Sequence, residues 1–578
     1  MDRLKQITII TLAMCFQQIL FAQKNNAVTE LNAIDQNLNE SIYISTNANS
    51  YITGESLFYK IFCINKSTNE ISKYSKVAYL QLVDKNKTTV LTHKLFLENG
   101  TAGSDFFIPT TLETGNYKII GYTNWMLNKE VSEYCNIDIY ILNPYKDKPL
   151  NTISQKEVTL AETITNRDIS FNLKSKIYKN RDQAELQINT NSDEFSKGNY
   201  VLSVRKADGF IAQKKINFEE LSAGNTYKSS LSEIKKPNFL LPELRGELIS
   251  GKIRSSNADI KNKKVALSIV GKNYTLKLAK TDNEGNFIFN LEKPNSNSNV
   301  IVQILEDNKQ DYTIEMDKPK NINFSNLSFP EFQFNSDFKQ NISERLISTQ
   351  IENAYYNLKK DSILASNDTI PFYNNLSKEF KLDAFTRFAT MEETITEVVK
   401  GVYFSKDKNN YAIHVYDYDP NYESPLPTLI IVDGLIIEDL NELFRYNPKN
   451  IHKINVVKGI YNYGAKSFNG LVSFTTKNGD YETKLKGSFI IRPELLRPQS
   501  KKEYFKPDYT GTKNERIPDY RHQLLWIPKV DLSDANSKIQ FYTSDVSGKF
   551  EITLEGFSAS GKPVFIKETI EVKEALSN

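Results

Sequence analysis

The sequence predicts a mainly β protein, built as tandem antiparallel β-sandwiches with one small α+β domain. The chain contains 31 Tyr and 33 Phe but only 5 Met, and aromatic residues of this kind are enriched in strands. Short runs rich in Ile, Val, Tyr and Phe alternate with Gly, Asn, Lys and Thr turns, as at 56–64, 77–83, 89–97 and 117–123. One later stretch instead opens with a helix pattern and continues as strands, which predicts the α+β domain.

Composition excludes several classes of protein. A chain of 578 residues corresponds to about three to five domains. The charge is balanced, with 73 Lys+Arg against 70 Asp+Glu, so we expect no nucleic-acid partner. A hydrophobic fraction of 39% argues against a fully disordered chain, and a mean hydropathy of −0.47 argues against a polytopic helical membrane protein.

The N-terminus predicts export. Arg3 and Lys5 precede an apolar stretch, and a small residue, Ala22, stands before Gln23 at a suitable cleavage point. We expect residues 1–22 to be a signal peptide and 23–40 to be a flexible leader. The apolar stretch is broken by two glutamines and is shorter than a membrane span, so we expect no transmembrane segment in the mature chain. An alternative remains open, because 12–15 resembles a bacterial lipobox in which Cys15 would carry the lipid.

Two cysteines follow the predicted signal, Cys63 and Cys135. An oxidising compartment permits a disulfide between them. The alternative is a pair of unpaired buried thiols, since a free cysteine behaves as a small core residue.

Residues 41–145 are predicted to form the first sandwich. Three motifs support this prediction. The first is the Tyr-Ile-Thr-Gly-Glu sequence at 51–55, and the second is Gly103 followed by Phe-Phe-Ile-Pro at 106–109. The third is Gly115-Asn116-Tyr117 followed by Tyr-Thr-Asn-Trp-Met at 122–126. Together they resemble a macroglobulin-type β-sandwich domain, although the thioester core of the protease-trapping macroglobulins is absent. Residues 153–235 repeat the pattern more weakly, with 198–200 echoing 115–117, and predict a second sandwich or an irregular extension of the first.

The next two segments are a predicted small sandwich and a linker. Residues 240–318 resemble a carboxypeptidase-regulatory-like domain, on the strength of 245–252 and of the Asp282–Gly285 turn before Phe287 and Phe289. Such domains are not peptidases. Residues 319–375 contain three prolines and a single helix pattern, and we expect a linker with a helix there.

Residues 376–480 carry the most specific pattern. A capping box at Thr390 and Glu393 opens a helix that ends near Gly401. The strand and turn motifs that follow resemble the plug domain of TonB-dependent outer-membrane receptors, especially those of Bacteroidota. The motif residues, to which we assign structural roles, are Asp433, Gly434, Lys458, Gly459, Tyr463, Gly464, Asn469 and Gly470.

Residues 481–578 are predicted to form a C-terminal β-sandwich. The receptors that this plug resembles close about 22 strands of roughly ten residues into a barrel. The stretch after Asp480 is too short for that and lacks the required apolar alternation, so we expect a plug-like domain without its barrel.

The sequence predicts binding rather than catalysis. The four histidines are scattered, and no nucleophile elbow, phosphate-binding loop or metal-ligand spacing is present, so we expect no enzyme activity, cofactor or metal. We expect a non-catalytic accessory or scaffold, associated with the outer membrane on either face, that docks on a separate β-barrel protein or envelope complex. The alternative is a glycan- or polypeptide-capture protein that uses exposed Tyr461, Tyr463 or Trp526.

Overall fold

A computed structural model gives the fold. It describes residues 38–129, 131, 134–146, 152–153, 163–207, 240–330, 334–335, 339–364, 370–408, 410–416, 424–464, 466–511, 516–534 and 538–574. The predicted signal peptide, its cleavage residues Ala22 and Gln23, Cys15 and most of the leader therefore lie outside the described residues.

The architecture is mainly β, as predicted, with many small sheets and few helices. The chain divides into two compact units. The first unit comprises Met1–Leu244, Ile322–Leu364 and Lys501–Asn578, and the second comprises Arg245–Asn321 and Ala365–Ser500.

The first unit begins with a two-sheet sandwich. One sheet has the order β1-β3-β6 and the other β2-β8-β7-β4-β5. Side chains from both sheets, among them Ile42, Tyr59, Leu80 and Ile119, share one core. The strands are β1 (Glu40–Thr46), β2 (Ser50–Ile52), β3 (Ser56–Asn65), β4 (Val77–Asp84), β5 (Thr89–Phe96), β6 (Thr101–Phe107), β7 (Gly115–Tyr122) and β8 (Cys135–Leu142), with a 3-10 turn at Met126–Asn128.

A second sandwich in the same unit combines strands from two distant parts of the chain. One sheet has the order β10-β12-β32 and the other β11-β34-β33-β13-β31. The strands are β10 (Ile169–Leu173), β11 (Ile177–Lys179), β12 (Gln183–Thr190), β13 (Asn199–Lys206), β31 (Gln523–Ile527), β32 (Lys538–Tyr542), β33 (Gly548–Phe557) and β34 (Pro563–Lys573), with helix α1 (Asp193–Ser196) between β12 and β13.

This pairing corrects the predicted domain bounds. We expected one sandwich within 153–235 and another within 481–578, but β13 pairs with β33 from Asn199↔Phe557 to Lys206↔Phe550. The two stretches therefore complete one sandwich with a single core. The reason is that, among the described residues, neither stretch has enough strands to cover its own apolar face.

The predicted linker also contributes to the first unit. Helix α2 (Lys339–Ala354) packs Ile342 and Leu346 against Ile52, Tyr140 and Leu142, and a 3-10 turn follows at Tyr356–Leu358. Two short ladders join β9 (Thr152–Ile153) to β20 (Phe334–Asn335) and β21 (Ser362–Ile363) to β30 (Lys502–Glu503). The segment 319–375 therefore contains a helix, as expected, and this helix packs against the first sandwich.

The second unit contains a small sandwich. Its sheets have the orders β17-β14-β19 and β16-β15-β18-β29. The strands are β14 (Glu247–Arg254), β15 (Lys264–Ile269), β16 (Thr275–Lys280), β17 (Asn286–Leu291), β18 (Val300–Ile304), β19 (Thr313–Met316) and β29 (Ile490–Ile491), with a 3-10 turn at Lys309–Asp311. Strand β29 belongs to the stretch that we expected in the C-terminal sandwich, because Ile490 and Ile491 extend the edge of β18.

The α+β domain completes the second unit. Its sheet has the order β22-β27-β28-β25-β26 and is antiparallel except for β25 and β28, which run parallel. Its apolar residues share a core with the small sandwich. The elements are β22 (Lys378–Lys381), helix α3 (Met391–Val398), β23 (Val402–Asp407), β24 (Asn410–Val415), β25 (Leu429–Val432), β26 (Leu435–Ile436), helix α4 (Leu440–Phe444), β27 (Ile451–Tyr463) and β28 (Lys466–Thr476), with 3-10 turns at Asn374–Leu376, Leu382–Ala384 and Pro448–Asn450.

Candidate functional site

The predicted turn at Asp433-Gly434 is present. Both residues have positive φ, 47° and 86°, and they join β25 to β26 as a two-residue loop in which Val432 pairs with Leu435. Positive φ at both central positions is typical of the hairpin turn that Asp-Gly favours. The Cβ of any larger residue at position 434 would lie 2.4 Å from the ring of Tyr274, so glycine is required for packing as well.

The carboxylate of Asp433 is a structural acceptor. It is fully buried and accepts hydrogen bonds from the backbone N–H of Thr476 at 2.8 Å, the hydroxyl of Thr476 at 2.6 Å and the backbone N–H of Tyr481 at 3.2 Å. Burial raises the pKa of Asp433, although these three donors act to lower it. The group therefore ties the β25–β26 turn to the end of β28 and is not available to a substrate.

The other motif residues shape the β27–β28 hairpin. Register shifts between Val457 and Ile460, so that Lys458 and Gly459 lie opposite the single residue Gly470. Gly459 and Gly470 have φ of 77° and 75°, and a Cβ on Gly470 would lie 2.7 Å from the carbonyl oxygen of Val457. This is a β-bulge, which bends the hairpin and increases its twist.

The end of the hairpin is anchored on the small sandwich. The hydroxyl of Tyr463 donates to the carbonyl oxygen of Leu276, and Gly464 has φ of 54° beside Leu278. Asn469 is buried, and its backbone N–H donates to the carbonyl oxygen of Pro427 at 2.9 Å. The eight motif residues therefore belong to one sheet and its turns, and two of them, Lys458 and Gly464, are exposed.

An aromatic row lies at this end of the sheet. The ring of Phe372 stacks on Tyr463 with a centroid distance of 4.2 Å and lies 6.3 Å from Tyr461, and the two tyrosine rings are inclined by only 16°. Next to Phe372 in sequence, Ile370 and Leu376 are 66% and 64% exposed. The sequence prediction named both tyrosines as exposed, but both are half-buried. It missed Phe372, because that residue falls in the segment predicted to be a linker.

A second aromatic group lies on the β23–β24 hairpin. Tyr403 stacks on His414 with a centroid distance of 4.9 Å and lies 4.6 Å from Tyr416. Tyr403 and Tyr416 are both exposed. Along β23 only Val402 is buried, whereas Tyr403 and residues 405–407 are exposed.

Other residues singled out in the sequence have structural surroundings. Trp526 is buried and packs against Phe58, so it offers no exposed platform, contrary to the prediction. Cys63 and Cys135 are free buried thiols rather than a disulfide. Both lie in the first sandwich core, which is the alternative that the sequence left open.

The described residues contain neither a metal-ion site nor a membrane-spanning helix. No group of three or more His, Cys, Asp or Glu side chains in that part of the chain is placed to hold a metal ion. None of the helices described there is both long enough and apolar enough to cross a membrane.

Comparison with known proteins gives structural likeness only. No family model and no curated protein matches the sequence. The chain is similar to a Salmonella alpha-2-macroglobulin reacted with methylamine, with 9% identity over 93% of this chain and 40% of that one and a TM-score of 0.23. It is also similar to Escherichia coli alpha-2-macroglobulin activated by porcine elastase, with 9% identity over 93% and 44% and a TM-score of 0.22.

The chain is also similar, over a shorter stretch, to a β-glucosidase from Listeria innocua in complex with isofagomine. This match covers 18% of this chain and 16% of that one, with 15% identity and a TM-score of 0.12. The chain spans less than half the length of the macroglobulins. Because all three TM-scores are low, these likenesses carry no argument about function, and the fold class is established by the sheets themselves.

Proposed function

We propose that this protein is an exported, non-catalytic binding protein of the cell envelope, associated with the outer membrane, that docks on a separate β-barrel protein or envelope complex. The α+β domain is the principal contact surface in this proposal, and its resemblance to a receptor plug suggests the class of partner.

The observation that carries the proposal is the distribution of exposed apolar side chains. Within the described part of the second unit, the large apolar residues that are exposed lie almost entirely in the α+β domain: Ile370, Phe372, Leu376, Phe385, Tyr403, Tyr416 and Ile460, with Ile288 alone in the small sandwich. Concentrations of exposed apolar surface are typical of protein interaction sites, and aromatic residues are enriched in them.

A pull-down from solubilised outer membranes tests the proposal. We expect the full-length tagged protein to recover a β-barrel protein reproducibly, and the double variant Ile370→Ser, Leu376→Ser to lose it. Ile288→Ser is the matched control, because it removes one exposed apolar side chain from the small sandwich of the same unit. Recovery of the protein alone, or equal recovery by the double variant and the control, would contradict the proposal.

Glycan capture is the second candidate. The stacked row Phe372, Tyr463 and Tyr461 favours it, since sugar rings pack against aromatic faces, whereas buried Trp526 contributes nothing. In this case the purified protein would bind a polysaccharide without a protein partner, and Tyr461→Ala would weaken that binding.

Localisation is tested separately from binding. We propose removal of residues 1–22, so N-terminal sequencing of the protein from native cells should begin at Gln23. A lipid-modified Cys15 at the N-terminus would establish the lipoprotein alternative instead. Protease treatment of intact cells would then distinguish the cell-surface face from the periplasmic face.

A further inference from the structure

The β23–β24 hairpin has a defined inner and outer hydrogen-bonding side. Its register runs from Val402↔Val415 to Asp407↔Asn410, and the N–H of Tyr416 donates to the carbonyl oxygen of Gly401 at 3.0 Å. Hydrogen-bonded and non-hydrogen-bonded pairs alternate in an antiparallel ladder. Counting from Gly401, the backbone groups of Tyr403 and Ser405 point to β24, and those of Phe404 and Lys406 point outward.

The two outer edges of this hairpin differ. On β24, the N–H of Tyr411 donates to the side chain of Asn441 on helix α4, at 3.3 Å, which covers that edge. On β23, the N–H groups of Phe404 and Lys406 have no hydrogen-bond partner among the residues that the structure describes. Edge strand groups of this kind are able to pair with another chain.

The side chain of Lys406, on this edge, does not prevent another strand from pairing with it. Natural edge strands often use a lysine side chain to prevent pairing. Here the ammonium of Lys406 turns back onto the ring of Tyr411, 4.6 Å from its centroid, and donates to its hydroxyl at 2.7 Å. Tyr411 in turn donates to Glu392 at 2.6 Å and stacks on Phe444 at 3.9 Å. One face of the hairpin is therefore packed against helix residues, while its outer edge has no strand partner among the residues that the structure describes.

The solvent face of the hairpin specifies the side chain that fits beside it. Tyr403 lies on the edge strand, and its cross-strand neighbour His414 stacks on it at 4.9 Å. A strand added to β23 would place one side chain next to Tyr403 on this same face, because side chains alternate between faces. A planar aromatic side chain there would extend the row, and such cross-strand aromatic pairs stabilise sheets.

We propose that the outer edge of β23 is a strand-addition site that binds an extended polypeptide segment with an aromatic residue beside Tyr403. This rests on the proposed binding function and identifies the form of the partner. Two outward-facing residues, Phe404 and Lys406, would each contribute an N–H and a C=O, so the bound segment would be about four or five residues long.

A model peptide tests the site directly. The probe is a fluorescent octapeptide of alternating threonine and tyrosine. The negative control is the same peptide methylated on every backbone nitrogen, which cannot donate along either edge of a strand. We expect the first peptide to bind the full-length protein and to slow hydrogen exchange at the amides of Phe404 and Lys406. Equal binding of both peptides, or no protection of these two amides, would overturn the proposal.

Substitutions at Lys406 separate the backbone from the side chain. Lys406→Pro removes the outward N–H, at a position where an edge strand tolerates proline, and should weaken binding by about tenfold or more. Lys406→Ala keeps the N–H and removes the contact with Tyr411, and should bind nearly as well as the unmodified protein. If both variants melt at the same temperature and bind equally well, the edge is not the site.

The strand-addition site and the proposed docking function can be contradicted separately. If Lys406→Pro still recovers the membrane partner while the Ile370→Ser, Leu376→Ser variant does not, the protein is a docking protein but strand addition is wrong. If no barrel protein is recovered yet the peptide protects Phe404 and Lys406, the strand-addition site stands and the proposed partner is wrong.

Discussion

Arg345 on helix α2 forms a two-point ion pair with Glu55 in the first sandwich. Its Nε lies 3.0 Å from Oε1 and its Nη2 lies 2.6 Å from Oε2 of the carboxylate, and Nη2 also donates to the carbonyl oxygen of Ser50 at 3.1 Å. Both side chains are largely buried. Burial acts to raise the pKa of Glu55, but Arg345 and Arg205 lower it to about 2. The pair thus holds the helix to the sandwich as a charged contact.

Removing either partner should destabilise the first unit. Arg345→Met leaves a buried carboxylate without its main counter-charge, and the expected loss is about 3–5 kcal/mol in the free energy of unfolding, measured by denaturant titration. The double variant Arg345→Met, Glu55→Gln should lose less than Arg345→Met alone, because it removes the buried carboxylate together with its main counter-charge and leaves only Arg205, 3.8 Å from Glu55, without its partner. Lys197→Ala, which breaks the exposed pair with Asp193, is the control and should leave stability unchanged.

Stability should fall with acidification because the folded protein holds His522 in its neutral form. Burial, with Arg345 and Arg205 nearby, lowers the pKa of His522 to about 3 from a usual value of 6.5. Below pH 6.5 the unfolded chain therefore binds a proton at this histidine, whereas the folded chain does not. The free energy of unfolding consequently decreases as the pH falls from 6.5 towards 3. His522→Gln should show a shallower decline in melting temperature over pH 6.5–4.5. Parallel curves for the two proteins would contradict the assignment.

Elements that depend only on neighbouring residues could be predicted from the sequence. The capping box at Thr390 and Glu393 forms, with the Glu393 N–H donating to the threonine hydroxyl at 3.2 Å and the Thr390 N–H donating to the glutamate carboxylate at 3.1 Å. The Asp433-Gly434 turn likewise follows from two adjacent residues. Short-range signals of this kind depend only on backbone preferences that neighbouring residues set.

Long-range pairing was not predictable in the same way. Alternation identifies β13 and β33 as strands, but it does not say that they pair with each other rather than with sequence neighbours. The same reason explains the burial of Trp526, which packs against Phe58 from a distant part of the chain. Phe372 was missed as a site residue because stacking on Tyr463 depends on where the chain folds, not on its local pattern.

Lys60 is a buried amine whose removal should increase stability. It is almost fully buried, donates to the carbonyl oxygen of Tyr200 at 3.1 Å and lies 4.4 Å from the centre of the Phe62 ring. Burial, with a smaller effect of Lys529, lowers its pKa to about 7. The unfolded chain holds this proton up to pH 10.5, so stability should rise as the pH increases from 7 to 10.5.

Lys60→Met tests this directly, because it fills a similar volume without a charge. We expect a higher melting temperature than that of the unmodified protein at pH 7, with the difference shrinking as the pH approaches 10. Lys73→Met, at an exposed position in the same sandwich, is the control and should not change the pH dependence. A lower melting temperature for Lys60→Met at pH 7 would show that the bond to Tyr200 outweighs the cost of burial.

The bulge at Gly470 should not accept a larger residue. Its φ of 75° is unfavourable for residues with a Cβ, and that Cβ would lie 2.7 Å from the carbonyl oxygen of Val457 and 2.9 Å from Val415. Gly470→Ala should therefore lower the free energy of unfolding by about 1–3 kcal/mol, measured on the full-length protein by denaturant titration. Gly511→Ala is the matched control, because a Cβ there meets no atom within 4 Å. Equal stability of the two variants would mean that the β27–β28 hairpin tolerates a regular ladder, and that the bulge does not constrain the sheet.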